Sequence, residues 1–90
     1  MKLESFLEFL SQGLIASVTV QETSPSKGKP LEAGKSVWIV QITLSNGNIS
    51  SLISSRGSNR EWASLDTLND WLRGNGISNY HIAHMEVAKA

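Results

Sequence analysis

Few residues of this chain could do chemistry, and their spacing limits what that chemistry would be. His81 and His84 stand three apart. On a helix that spacing puts two imidazoles on one face and suits a metal, whereas on a strand it sends them to opposite faces. Residues 77–87 alternate in strand fashion, with Tyr80 and Ile82 on one side and Ala83, Met85 and Val87 on the other, so no metal site is expected. No Gly-x-Ser-x-Gly turn is present to strain and expose a serine nucleophile. Sequence order neither builds nor rules out a Ser-His-Asp set, because such sets are assembled in space. Lys27-Gly28-Lys29 is followed by Pro30 and then a strand, whereas a phosphate loop must open a helix. The remaining candidate is Arg56-Gly57-Ser58-Asn59-Arg60. A tight turn there could aim successive backbone N–H groups outward between two guanidinium groups and so hold a phosphate or an acidic side chain. The plainer reading is a solvated turn whose arginines serve solubility or pair with Glu61.

The elements that must position these residues follow from periodicity. Leu3, Phe6, Leu7 and Leu10 recur at helical spacing and predict a helix over 2–12, ended by Gly13 in a left-handed cap. Ala16, Val18 and Val20 then alternate with polar residues and predict a strand, and residues 23–35, holding both prolines, predict a loop. Ser36 to Leu44 and Ile49 to Ser55 read as a hairpin around Asn46-Gly47, taken as a two-residue type I′ turn. That turn pairs Leu44 with Ile49, Ile42 with Ser51, Val40 with Ile53 and Trp38 with Ser55. After the Arg56–Asn59 turn, Arg60 to Ala63 predicts a short strand. Ser64 caps a helix carrying Leu65, Leu68, Trp71 and Leu72 and stopping at Gly74-Asn75-Gly76, and residues 77–87 predict the last strand. The expectation is one α+β domain over 1–90, in the order α-β-β-β-β-α-β. Its antiparallel sheet of four to five strands carries two helices on one face.

The same register leaves Val37, Ile39 and Leu52 on the face away from the helices, ringed by Gln41, Thr43, Ser50 and Ser54. Three apolar residues inside a polar rim predict an interface, for a second copy of the chain or for a target protein. The competing readings are a bulge in the third strand that turns Leu52 inward, or a sheet covered on both faces.

Composition narrows the class. Ninety residues allow one small core, and 40% hydrophobic against 18% charged residues excludes the disordered class. Eight basic and eight acidic residues give zero net charge, against a protein that coats nucleic acid by bulk electrostatics. A nucleic-acid binder of this charge must gather Lys27, Lys29, Lys35, Arg56 and Arg60 at one end. Without cysteine there is no disulfide framework, thiolate zinc site or cysteine nucleophile. No apolar run approaches the roughly 20 residues of a membrane span, and no basic-then-apolar leader opens the chain, so a cytoplasmic protein is expected. Helix, three strands, helix is also the order of double-stranded RNA-binding domains. Those domains grip phosphates with lysines at the start of the second helix, where this chain reads Ser64-Leu65-Asp66-Thr67.

The stretch Ser54-Ser55-Arg56-Gly57-Ser58-Asn59-Arg60-Glu61-Trp62-Ala63-Ser64-Leu65-Asp66-Thr67-Leu68 resembles small partition-associated proteins of plasmids and integrative elements. Their segment reads Ala-Arg-Gly, then Arg, an aromatic residue, Ser-Leu-Asp and a helix ending near Gly-Ile. It is also similar, more weakly, to type I-F anti-CRISPR inhibitors, through Arg60-Glu61-Trp62-Ala63-Ser64 and the spacing of Leu68 and Trp71. Both likenesses cover residues 54–77, and neither carries a catalytic residue across. They imply a product of a mobile genetic element that acts by binding. The sequence is therefore read as a non-enzymatic, cofactor-free protein-binding module, an anti-CRISPR-like inhibitor of a host complex, with Val37, Ile39, Leu52, Arg56 and Arg60 as partner contacts. The second reading is a plasmid partition or maintenance accessory protein that touches DNA, with Lys27, Lys29 and Lys35 as further contacts.

Overall fold

The computed structural model describes residues 1–25 and 35–85. Its elements are α1 (Leu3–Ser11), β1 (Ile15–Thr23), β2 (Val37–Leu44), β3 (Ile49–Ser51), α2 (Leu65–Gly74) and β4 (His81–Ala83). The α+β class expected from the sequence is the class observed. The strands form one sheet in the order β3-β2-β1-β4. β1 pairs antiparallel with β2, and β2 with β3, while β4 lies parallel to β1. The sheet is therefore mixed rather than wholly antiparallel. A crossover makes it so: the chain leaves β3 at one edge, passes through α2 and returns at the opposite edge, running in the same direction as β1.

Both helices stop as their glycines predict. At the end of α2 the Gly76 N–H donates to the Arg73 carbonyl and the Ile77 N–H to the Leu72 carbonyl, each at 3.0 Å, with Gly76 at φ +88°. These are the two bonds of a Schellman cap, and the buried Leu72 and Ile77 are the apolar pair that accompanies it. α1 ends the same way at Gly13. The Ser64 hydroxyl accepts from the Thr67 N–H and caps the start of α2. One face of the sheet supplies Val18, Val20, Trp38, Val40, Ile42 and Leu52 to the core, and the helices supply Phe6, Leu68 and Leu72, so both helices cover that face. Ala16 falls out of the buried alternation because the β1–β2 register shifts between Ile15 and Ser17.

The hairpin differs from the sequence reading by one residue. Thr43 pairs with Ile49, Ile42 with Ser50 and Gln41 with Ser51, and the Leu52 N–H donates to the Val40 carbonyl. A type I′ turn needs positive φ at both central residues, yet only Gly47 has it, at +91°. The loop is instead Ser45-Asn46-Gly47. The Asn46 side chain accepts from the Asn48 N–H, and the Leu44 N–H donates to the Asn48 carbonyl. Because side chains alternate with period two, a one-residue slip exchanges the faces of β3. Leu52 enters the core at 0% exposure, and Ile49 turns out to solvent at 67%.

This corrects the expected partner surface. Leu52 belongs to the helix-covered core, and Val37 and Ile39, on the other face, are 2% and 6% exposed. Val37, Trp38, Ile39 and Val40 are all buried, so this half of β2 is an interior strand closed on both faces. The unbroken run Val-Trp-Ile-Val was the signal for that, since a half-exposed strand would alternate. The expected short strand at Arg60–Ala63 is reduced to one isolated bridge, Trp62 with Trp38.

Leu52→Ala should lower unfolding free energy by about 2–5 kcal/mol, the range for a fully buried leucine, whereas Ile49→Ser should stay within about 0.5 kcal/mol. Urea titrations of the two variants test the register, since the type I′ pairing predicts the reverse ranking. Ile39→Glu combined with Leu52→Glu should unfold the chain rather than release a folded monomer.

Candidate functional site

Between β3 and α2 the chain makes an excursion away from the sheet and comes back. The Ser54 N–H donates to the Ser58 carbonyl and the Gly57 N–H to the Ser54 carbonyl, closing a small hairpin with Arg56 exposed in its turn. On its other side Ile53 bridges Lys2 in parallel, so the start of the chain flanks the hairpin. The Arg60 N–H then donates to the Leu52 carbonyl, and Trp62 and Trp38 exchange two backbone hydrogen bonds of 2.9 and 2.8 Å. Trp62 thus rejoins β2 where β3 left it.

The turn is not an open nest for an anion. The Arg56 N–H points back to the Ser54 hydroxyl at 3.3 Å, and the Gly57 N–H is taken by the Ser54 carbonyl. Nor do the two arginines flank it as a pair. The Arg60 guanidinium lies over the rings of Trp62 and Trp71, at 4.7 and 5.2 Å from their centroids. The two indoles are 5.1 Å apart and tilted, and Trp71 stacks on Phe6 of α1 at 6.2 Å. A guanidinium held on aromatic faces keeps its N–H donors at its rim, directed along its own plane. Among the described residues no carboxylate forms an ion pair with Arg60 or Arg56. A groove of about 590 Å³ is lined by Arg60 together with Lys2, Leu3, Glu4, Ile53, Ser54 and Ser55.

A second cluster closes the opposite edge of the sheet. Glu22 accepts from the Ser36 hydroxyl at 2.6 Å and from the Met85 N–H at 3.0 Å, and faces His84 Nδ1 at 3.5 Å. The His84 ring meets Trp38 edge-on at 5.3 Å. Gln21 adds a bond from its amide to the Ala83 carbonyl. The Ser36 hydroxyl holds the Glu22 carboxyl below its ordinary value of 4.5, helped by the Met85 N–H and His84 against a smaller opposing effect of burial. Serine, histidine and carboxylate meet here, but hydroxyl and imidazole both end on the carboxylate. Nucleophilic catalysis needs the hydroxyl on the imidazole. The cluster fastens β4 to β1 and to the residue preceding β2.

Of the residues expected at a site, Arg56 and Arg60 stand at the hairpin, Arg60 in the groove wall and Arg56 in the turn. Val37, Ile39 and Leu52 are buried elsewhere. Lys35 is exposed just before β2, and Lys27 and Lys29 lie outside the described residues. His81 stands in register with Thr19, on the face opposite the helices, whereas His84 packs on Trp38. Among the described residues no group of three His, Asp or Glu side chains could hold a metal, and no helix is long and apolar enough to cross a membrane. The sequence reading missed Lys2 and Glu4, which fell within the helix predicted over 2–12 and were given no role, and the Glu22 cluster, whose members are far apart in the chain. In comparisons with known proteins, the chain matches no family model, no curated protein and no solved structure.

Glu22 binds fewer protons at a given acidic pH when folded than when unfolded. Its contribution to stability is therefore full above pH 4.5 and fades as pH falls through its lowered folded value. Thermal melts of the natural chain and of Glu22→Gln should differ at neutral pH, the variant melting lower, and converge in acid. A difference constant across that range would remove the carboxylate from this role.

Proposed function

We propose that this chain acts by binding, as a non-enzymatic protein-binding module of a phage or mobile genetic element in the cytoplasm. Its concrete form is inhibition of a host complex in the manner of the type I-F anti-CRISPR proteins. The observation that carries the reading is Arg60, laid against Trp62 and Trp71 and lining a groove. Interfaces draw their energy from a few such anchors, and a preorganised arginine on aromatic faces is among the most effective because little side-chain freedom remains to be lost. The residues behind the resemblance, Arg60 to Ser64 with Leu68 and Trp71, include those that build this anchor.

The second reading, a plasmid partition or maintenance accessory protein touching DNA, is favoured by one observation. Arg56, Arg60 and Lys2 gather around the same hairpin. Three cations could follow a short run of phosphates. The readings separate on two measurements. An inhibitor should coelute with purified type I-F interference complex in size-exclusion chromatography and reduce that complex's binding of target DNA. A DNA-contacting protein should shift labelled duplex by itself, with an affinity that falls steeply with salt and a slope flattened by Arg56→Ala with Arg60→Ala. Duplex binding without coelution would overturn the first reading in favour of the second.

A further inference from the structure

We infer that the groove beside Arg60 is a docking site for an acidic peptide segment of a partner protein, with a carboxylate on the Arg60 fork and an adjacent apolar side chain over Leu3 and Ile53. The inference rests on the protein-binding reading above and gives it a partner chemistry. Trp62 and Trp71 lie against the guanidinium, whose N–H donors, fixed in its own plane, match the two oxygens of a carboxylate. Lys2, also in the lining, adds a second, exposed cation.

Peptide is favoured over nucleic acid by the rest of the lining. Glu4 also lines the groove, so it disfavours a continuous run of anionic groups of either kind, while a single carboxylate at Arg60 leaves Glu4 to accept from peptide N–H or hydroxyl groups, which a sugar-phosphate backbone does not supply in that pattern. Leu3 and Ile53 offer apolar surface that a sugar-phosphate backbone does not use. The turn next to the groove has its Arg56 and Gly57 N–H groups bonded to Ser54, so it offers a phosphate neither donor.

The test is a titration of ¹⁵N-labelled chain with an alternating Asp-Leu peptide and its Asn-Leu counterpart, following the Arg60 Nε–H and the indole N–H signals of Trp62 and Trp71 by NMR. The Asp-Leu peptide should shift all three in a saturable way. The Asn-Leu peptide, and Arg60→Lys with the Asp-Leu peptide, should each bind at least about tenfold more weakly, the loss of a charge-assisted bond. A thermal melt verifies that Arg60→Lys folds, and the comparison of the two peptides on the unaltered chain holds whether or not it does. Equal affinity for both peptides, no binding of either, or shifts that leave Arg60 untouched would overturn the inference. A short DNA duplex moving the same three signals more strongly than the Asp-Leu peptide would assign the groove to nucleic acid and overturn it too. Coelution with the interference complex retained by Arg60→Lys would remove the groove while leaving the protein-binding reading in place, and its absence in the unaltered chain would remove that reading.

Discussion

Two backbone hydrogen bonds between Trp38 and Trp62 return the chain to the sheet after residues 53–59 have left it. Much else hangs on that reattachment. It continues the edge of β2 beyond the three residues that β3 covers, and it holds the base of the small hairpin fixed while its turn stays in solvent. It also delivers the chain to Ser64 at the point where α2 must begin to lay Leu68 and Leu72 on the core. The Trp62 ring, set in place by its own backbone, becomes the floor on which Arg60 rests and the neighbour against which Trp71 tilts.

The aromatic contacts form a chain across three segments, from Phe6 in α1 to Trp71 in α2 to Trp62 at the sheet edge. Each ring buries apolar surface, and together they couple the helix packing to the position of one half-buried cation. A guanidinium placed by core residues is unlike a surface arginine that samples many rotamers. Contacts of this kind are worth about 0.5–2 kcal/mol in stability, enough to orient the side chain and too little to account for the fold. Stability comes mainly from the core beneath, leaving the rim of Arg60 available for a partner.

The two edges of the sheet are closed by different physics. At the β3 edge, Lys2 and the hairpin extend the backbone pairing past Ile53. At the β4 edge, three strand residues are too few to hold by backbone pairing alone, and Gln21 and Glu22 reach across from β1 to the Ala83 carbonyl and the Met85 N–H. The Glu22 contacts depend on an ionised carboxylate, so this edge loosens in acid.

Local signals were legible in the sequence because each needs only neighbouring residues. The Leu3–Phe6–Leu10 stripe, the Ser64 cap, the glycines that end both helices and the Asn46-Gly47 turn all stand close to where the sequence puts them, and with them the α+β class. What it left undecided is whatever a distant segment settles. Asn46-Gly47 announced a hairpin, but loops of two and three residues share that dipeptide. Which of the two forms determines whether Leu52 or Ile49 enters the core, a choice of face made by a one-residue step. The direction of β4 depended on α2 crossing the whole sheet, which no local pattern records. Arg56 and Arg60 were visible as cations around a turn, but that Arg60 would lie on two indoles, one of them eleven residues on, required α2 to dock beside the Trp38–Trp62 pair. Sequence alone determined the elements and their order, because propensity and periodicity act within a turn or two of chain. Register, strand direction and the setting of Arg60 were decided by tertiary structure, because each depends on which distant surfaces bury one another.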